Sequence, residues 1–467
     1  MVTLPETETL QDVVFQNLVA LPATRRYLVA YSGGIDSTVL LHIMVQIGAR
    51  FDAIVEAVHV DHCLQPQSRE WAEFCREVCT ELGVGLHVES LDSKPIRGES
   101  PEAWAREQRY SLMGRHLKTG DMLLTAHHQR DQAESVLVQL LRGGGPHGVA
   151  GMPEHSLIGN GVLARPMLGI KSGSVNGYAA SLGLRWIEDP SNTDQRYVRN
   201  FLRNQILPLL RRRWPSVDAT LSRASGWQAQ AAQLLNDLGE IDLEAVRQGS
   251  ELNIELMQAL STERQFNLLR HWIRCADLEL PSERRLNEIA HSLLGGPSRS
   301  GLVAWPGAEV RRYRDRLYLL KPRPEHRSSS SQAWQISVPL DLICGALRAE
   351  ESSGVGLSMR ACADAHIFVR FRSGGERVRL PGRAHRSTLK NLYQSAGIPP
   401  WERQRLPLIY VGEDLAAVAD LWTFEPYAAD GDEPAWGLVW EPNYRIGAGD
   451  LVDGDRATVL PSARVPV

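Results

Sequence analysis

The feature that most constrains this chain is an apolar run at residues 27–31 that ends directly in Ser32-Gly33-Gly34-Ile35-Asp36-Ser37 and then enters the helix-like stretch STVLLHIMVQIG. A strand, a glycine turn and a helix in immediate succession make a unit whose helix crosses back over a sheet. Glycines let backbone N–H groups turn inward and approach an anion closely. The first helical turn adds its unpaired N–H groups and its positive dipole end. Ser32 and Ser37 add hydroxyl donors, and Asp36 can hold Mg²⁺ against phosphates. No lysine follows the glycines, so the loop is not the phosphate loop of kinases.

The pattern continues beyond the loop. Strand-like runs at 53–60, 84–88, 122–126 and 185–188 alternate with helix-like stretches at 66–82, 101–118 and 131–142. Such alternation predicts an α/β domain, a doubly wound parallel sheet covered on both faces, with ligands at the carboxyl ends of its strands. From about residue 216 to 295 the pattern is helical, followed by short strands at 301–304 and 317–319 and a Pro- and Ser-rich segment at 321–332. A second mixed region follows. The 467 residues thus divide into an expected catalytic domain (1–215), a mainly helical middle domain with its linker (216–332), a small mixed α/β C-terminal domain (333–445) and a flexible tail (446–467).

A net charge of −4 argues against a uniformly basic nucleic-acid binder and leaves room for local basic patches. None of the six cysteines forms a CxxC pair, and no histidine cluster completes a zinc pattern. The N-terminus lacks a basic segment leading into an apolar run, and no apolar stretch approaches the ~18 residues of a membrane span. These features favour a cytoplasmic protein with reduced thiols and no membrane partner.

Five further constellations carry polar chemistry. His59 and His62 stand at the end of the second strand, where the crevice of a parallel sheet opens. Arg106 and Arg109 are three apart on a helix and share a face. Thr125-Ala126-His127-His128 ends a strand, and Asp131 and Glu134 follow on one helix face, able to hold one cation each: Mg²⁺ for one, an ammonium for the other. Between residues 195 and 215 there are six arginines and no acid. Of these, Arg196, Arg199 and Arg203 have helical spacing, with Tyr197, Asn200 and Phe201 among them, as a phosphate-tracking surface would. Farther on, Arg377, Arg379, Arg383, Arg386 and Lys390 form an acid-free basic run.

The loop resembles the SGGxDS loop of the ATP-pyrophosphatase superfamily. Taken with HVDH, AHH followed by DQAE, EDPSN followed by RN, and the C-terminal basic run, the chain resembles the tRNA(Ile)-lysidine synthetase family. The resemblance implies ATP on residues 32–37 with His59 nearby, and Mg²⁺ on Asp36 and Asp131. It implies His127 and His128 as catalytic residues beside these carboxylates, and Arg106 and Glu134 around free L-lysine. It also implies that the transfer RNA is held by Arg196, Arg199, Asn200, Arg203 and the C-terminal cations. The implied substrate is an isoleucine tRNA with a CAU anticodon, and the implied assembly a homodimer. The family has an acidic residue where Arg130 stands, so no metal role transfers to that position. The alternatives are another tRNA-modifying member of the superfamily or an amidotransferase-type synthetase. A tRNA thiolase would need reactive cysteines in CxxC spacing, and a metabolite synthetase would not need the basic C-terminal run.

Overall fold

Strand β1 (Arg26–Ala30) is buried on both faces, and its side chains divide by parity. Tyr27 and Val29 enter one apolar core and Leu28 enters another. The same split recurs on β2 (Ile54–Asp61), where Ala57 goes one way and Val58 and Val60 the other. A two-residue side-chain period with apolar residues at every position is what a parallel sheet sandwiched between helices requires. The computed structural model describes residues 9–61, 67–91, 101–296, 300–322, 331–363 and 365–443. His62, Cys63 and Gln65 and the expected flexible tail lie outside these residues. The chain divides into two compact units, Met1–Leu234 and Leu235–Val467.

In the first unit, α1 (Leu10–Val19) precedes β1 and α2 (Ile35–Ile47) follows it. After β2 come α3 (Ser68–Leu82), β3 (Gly85–Ser90), α4 (Pro101–Arg115), β4 (Met122–Leu124) and α5 (Gln129–Leu141). A short helix α6 (Pro146–Val149), the hairpin β5 (His155–Ile158) and β6 (Gly161–Ala164), and α7 (Ser172–Ser181) complete the sheet layer. The sheet order is β3-β2-β1-β4-β6-β5. All neighbours are parallel except β5, which pairs antiparallel to β6 at the edge. Residues from α1, α2, α3 and α7 fill one core, and Leu112 and Met113 of α4 help fill the other, so the sheet is covered on both faces.

One expected strand is absent. Residues 184–189 are not a strand, and the fifth parallel strand is β6. The segment at 184–189 instead runs beside the glycine loop, where the Ile187 N–H donates to the Gly33 carbonyl at 2.8 Å. Beyond it, α8 (Val198–Phe201), a π-helical turn (Leu202–Ile206) and α9 (Leu207–Arg213) lead into the 30-residue α10 (Val217–Val246), which contains the boundary between the units.

The second unit opens with the end of α10, then β7 (Arg247–Gln248), β8 (Glu251–Asn253), α11 (Ile254–Gln258) and α12 (Thr262–Cys275). Strands β9 (Ser300–Trp305), β10 (Ala308–Tyr313) and β11 (Arg316–Leu320) join β7 and β8 in an antiparallel sheet ordered β7-β8-β11-β10-β9. The two strands expected here thus belong to a five-stranded sheet, which packs with α12 around Trp272. The remaining residues carry one five-stranded and one four-stranded antiparallel sheet around a core containing Tyr393, Leu408 and Phe424. Among the described residues, no helix is long and apolar enough to cross a membrane.

Candidate active site

The order of the sheet reverses between β1 and β4, since the chain first winds outward through β2 and β3 and then returns to the far side of β1. Both strands end at this switch point, where α/β sheets bind ligands. A cleft of about 660 Å³ opens there. Its walls include Ser32, Asp36 and Ser37 after β1, Arg106, Arg109 and Tyr110 of α4, Thr125–His127 after β4, Asp131, Ser135 and Gln139 of α5 with Arg142 at its C-terminal cap, and Arg199 and Arg203.

The glycine loop is built to hold its shape. Gly33 has φ +81°, a left-handed conformation that favours glycine. A Cβ at that position would stand 2.7 Å from Cδ1 of Ile187, so the site excludes side chains sterically as well. Gly34 is the N-cap of α2 and provides no side chain to satisfy the first-turn donors. The Ser37 hydroxyl donates back to the Gly34 carbonyl at 3.0 Å and lies 3.1 Å from the Ser32 hydroxyl. The Gly34 and Ser32 N–H groups donate to the hydroxyls of Ser32 and Ser37, and Ser32, Asp36 and Ser37 bring the loop to the cleft wall at the N-terminus of α2, where an anion is favoured.

His59 is placed behind this loop. It is buried, absent from the cleft wall, and lies 2.9 Å through Nδ1 from the Tyr31 carbonyl. Its geometry braces the strand end from which the loop departs. Burial lowers its pKa.

The two candidate metal carboxylates meet across one imidazole. Buried His128 caps α5 and reaches Asp36 Oδ1 through Nε2 at 3.4 Å and Asp131 Oδ2 through Nδ1 at 3.3 Å. Asp131 also accepts the His128 backbone N–H at 3.0 Å, closing a capping box. Because Nδ1 also accepts the Arg130 N–H, the neutral ring carries its proton on Nε2, facing Asp36. Burial alone would lower the His128 pKa, but the hydrogen bond to Asp36 and the charges of Asp131 and Asp36 outweigh it and raise the value. Burial would raise Asp131, but His128, His127 and Arg203 hold it below the ordinary carboxylate range. His127 faces the cleft with Nδ1 2.9 Å from the Thr125 hydroxyl, and burial pushes its pKa down to about 3. It is a neutral ring at physiological pH.

Glu134 is placed differently from a residue that greets a ligand. It is 1% exposed and does not line the cleft. Arg203 donates to it from Nε at 2.6 Å and from NH2 at 2.8 Å, and the same NH2 reaches Asp131 at 3.0 Å. Arg203 accordingly joins the buried carboxylate of Glu134 to the half-buried one of Asp131, as well as being part of the cleft wall. Arg199 donates to the Ser135 hydroxyl at 3.1 Å and also faces the cleft. Arg196 lies apart, almost fully exposed and paired to Asp194 at 2.7 Å. Asn200 donates to the Asp194 carbonyl at 2.9 Å, and the rings of Tyr197 and Phe201 are exposed beside it. The six sequence arginines therefore serve at least two purposes: charge in the cleft and surface beyond it.

In the second unit, Arg377, Arg379, Arg383, Arg386 and Lys390 are all exposed. A two-stranded ribbon, Arg377–Val378 with Ser387–Thr388, brings the two ends of the run together. Arg379 is paired with Glu425 at 2.5 Å.

Sequence reasoning missed Ser135, Gln139 and Arg142 as wall residues, although their spacing from Asp131 puts them on one helical stripe of α5.

The cleft carries five arginines, Arg106, Arg109, Arg142, Arg199 and Arg203, against the carboxylates of Asp36 and Asp131. Such a surplus draws in polyanions. With Ser32, Asp36 and Ser37 of the glycine loop on its wall, it defines an enzyme of the ATP-using PP-loop class, and residues 7–210 match the family model described as a PP-loop domain. Residues 252–318 match the TilS substrate binding domain and residues 367–440 the TilS substrate C-terminal domain. The chain is 38% identical to the tRNA(Ile)-lysidine synthase of Coxiella burnetii over 91% of its own length and 95% of that protein's. It is 38% identical to that of Alkalilimnicola ehrlichii over 94% and 98%, and 39% identical to that of Methylococcus capsulatus over 89% and 96%. The chain belongs to the tRNA(Ile)-lysidine synthase family.

Proposed function

We propose that this chain ligates lysine to the wobble cytidine of the CAU anticodon of isoleucine tRNA, through an adenylated cytidine formed from ATP with release of pyrophosphate and then AMP. The observation that carries the reading is convergence: the glycine loop, the Asp36–His128–Asp131 bridge and the arginine wall all face one cleft at the switch point of the sheet.

The division of labour follows from the geometry. The loop N–H groups and the hydroxyls of Ser32 and Ser37 hold the nucleotide phosphates. Asp36 and Asp131 are hard oxygen donors on the same cleft, a donor set that fits Mg²⁺, which takes one or two carboxylates together with phosphates and water. When bound there, the ion would neutralise charge on the departing pyrophosphate. The cytosine 2-carbonyl oxygen attacks the α-phosphate, and the arginine wall stabilises the charge that spreads over the phosphate oxygens. The wobble base must leave its stack to reach this depth.

Lysine then displaces AMP through its ε-amine, which titrates near pH ~10.4 when free and must give its proton to solvent before it attacks. His127, neutral and on the wall, accepts a hydrogen bond from that amine, while His128 holds the two carboxylates in register. Arg106 binds the lysine carboxylate, and Glu134 acts on the lysine site through Arg203. Arg196, Asn200 and the exposed rings of Tyr197 and Phe201 form an RNA-facing edge, and the C-terminal cations grip the phosphate backbone. The homodimer and the cytoplasmic location belong to the same reading.

Incubation with ATP, radiolabelled lysine and bulk tRNA tests it. The expected result is label confined to the wobble nucleotide of one isoleucine tRNA. Label elsewhere, or ATP cleavage that needs no tRNA, overturns it.

A further inference from the structure

Helix α10 carries Glu240 and helix α12 carries His271 and Cys275, far along the chain from the glycine loop and all within the second unit. His271 and Cys275 are four apart and share a helix face. Nε2 of His271 lies 2.9 Å from Oε2 of Glu240 and 3.3 Å from Sγ of Cys275. The three potential ligand atoms all fall within 4.8 Å of one another. The approach is made possible by Gly239: any Cβ there would meet Cγ of His271 at 2.6 Å. The ring therefore lies directly on the backbone of α10, with its Nε2 turned to the neighbouring Glu240.

We propose that Glu240, His271 and Cys275 form a binding site for a thiophilic divalent cation, Zn²⁺ being the best match, separate from the catalytic cleft. The donor set is one carboxylate oxygen, one imidazole nitrogen and one sulfur, the mixture that zinc accepts and that magnesium does not. Bond lengths of about 2.0–2.3 Å place tetrahedral ligand atoms roughly 3.3–3.6 Å apart. The observed 2.9 and 3.3 Å are hydrogen-bond separations close to two of those edges, and the third, between Glu240 and Cys275, lies within 4.8 Å, so a cation enters as these two partly exposed side chains turn toward each other. His271 is 8% exposed, whereas Glu240 and Cys275 are only partly covered, leaving an entry path and a fourth position for water. Metal binding requires the thiolate, and the thiol proton is released as the bond to sulfur forms.

The consequence is a clamp between α10 and α12, which already meet through the Asn267 side chain on the Leu235 carbonyl and the Arg264–Asp242 pair. The test uses the full chain stripped with a chelator and titrated with Co²⁺, whose thiolate charge-transfer and tetrahedral d–d bands report sulfur ligation directly. Wild type should develop both, Zn²⁺ should displace them, and Zn²⁺ should raise the unfolding midpoint. Cys275→Ser conserves volume and leaves the chemistry of the cleft untouched. It should abolish the charge-transfer band and the Zn²⁺-dependent midpoint shift. Glu240→Gln, at a partly exposed position, should weaken affinity by more than the roughly tenfold typical of losing an outer partner of a metal ligand. Absence of the charge-transfer band in wild type, or its survival in Cys275→Ser, overturns the proposal.

Discussion

Arg203 donates two hydrogen bonds to Glu134, from Nε at 2.6 Å and from NH2 at 2.8 Å, and so fixes a carboxylate whose side chain is only 2% exposed. Deleting Glu134 removes two hydrogen bonds to a charged group but leaves Arg203 its bond to Asp131 and its partial exposure to the cleft. Glu134→Ala should therefore lower stability by about 1–3 kcal/mol. The Glu134→Leu, Arg203→Met double variant should lose far less than the sum of its single changes. Urea unfolding of the four proteins decides it, and strict additivity would remove the pair as a coupled unit.

Asp36 lies on the cleft wall and also touches the capping histidine of α5. Asp36→Ala should cut tRNA-dependent pyrophosphate release roughly 100-fold or more, the scale of losing a preorganised electrostatic group. The far-ultraviolet circular dichroism should be unchanged. Normal release would show that Asp36 takes no part in phosphate chemistry.

His128 should make stability depend on pH with a definite sign. Its folded pKa is raised above the ordinary 6.5, so the folded state binds the proton more tightly than the unfolded chain. The stabilisation is fully present just below pH 6.5 and is lost as the pH rises through the raised folded value. The stability gap between wild type and His128→Gln should be wider at about pH 6 than at about pH 9. Paired denaturation curves at the two pH values check this, and a gap that widens with pH contradicts the assignment.

The exposed cations at 377, 383, 386 and 390 should set tRNA affinity without touching chemistry. Replacing Arg383, Arg386 and Lys390 by Gln should flatten the salt dependence of tRNA binding by up to roughly 0.9 per lost phosphate contact. Turnover at saturating tRNA should stay near the wild-type value. Fluorescence titrations across a salt series measure the slope, and an unchanged slope removes this run from the RNA interface.

The parts of the fold written in local chemistry were legible in the sequence. Tyr27, Leu28 and Val29 advertise a strand buried on both faces, and the glycine loop announces itself because its turn, its hydroxyls and its helix start are contiguous. The antiparallel hairpin of β5 and β6 was missed, although Gly159 and Asn160 form a two-residue connection between paired Ile158 and Gly161, a recognisable hairpin signal. Residues 185–188 carry adjacent Trp186 and Ile187 like a short strand, yet the Ile187 N–H is spent on the glycine loop. The Glu134–Arg203 pair and the Asp36–His128 contact were not legible because each joins residues that only the folded sheet brings together. Spacing on one helix showed that Asp131 and Glu134 share a face, but not that Arg203 packs against that face.

The contact between Gly33 and Ile187 has a consequence for how this sequence can change over generations. The carbonyl of one accepts the N–H of the other, and the methyl of the second fills the space a side chain on the first would need. Two positions far apart in the gene are thereby inherited as one character. A larger residue at 187 presses on the nucleotide loop even though it is not on the cleft wall, and a smaller one leaves a gap behind Gly33. Natural variation at 187 is therefore expected to be confined to a narrow band of side-chain sizes, and random mutagenesis should show intolerance there of the kind usually reserved for residues that touch substrate.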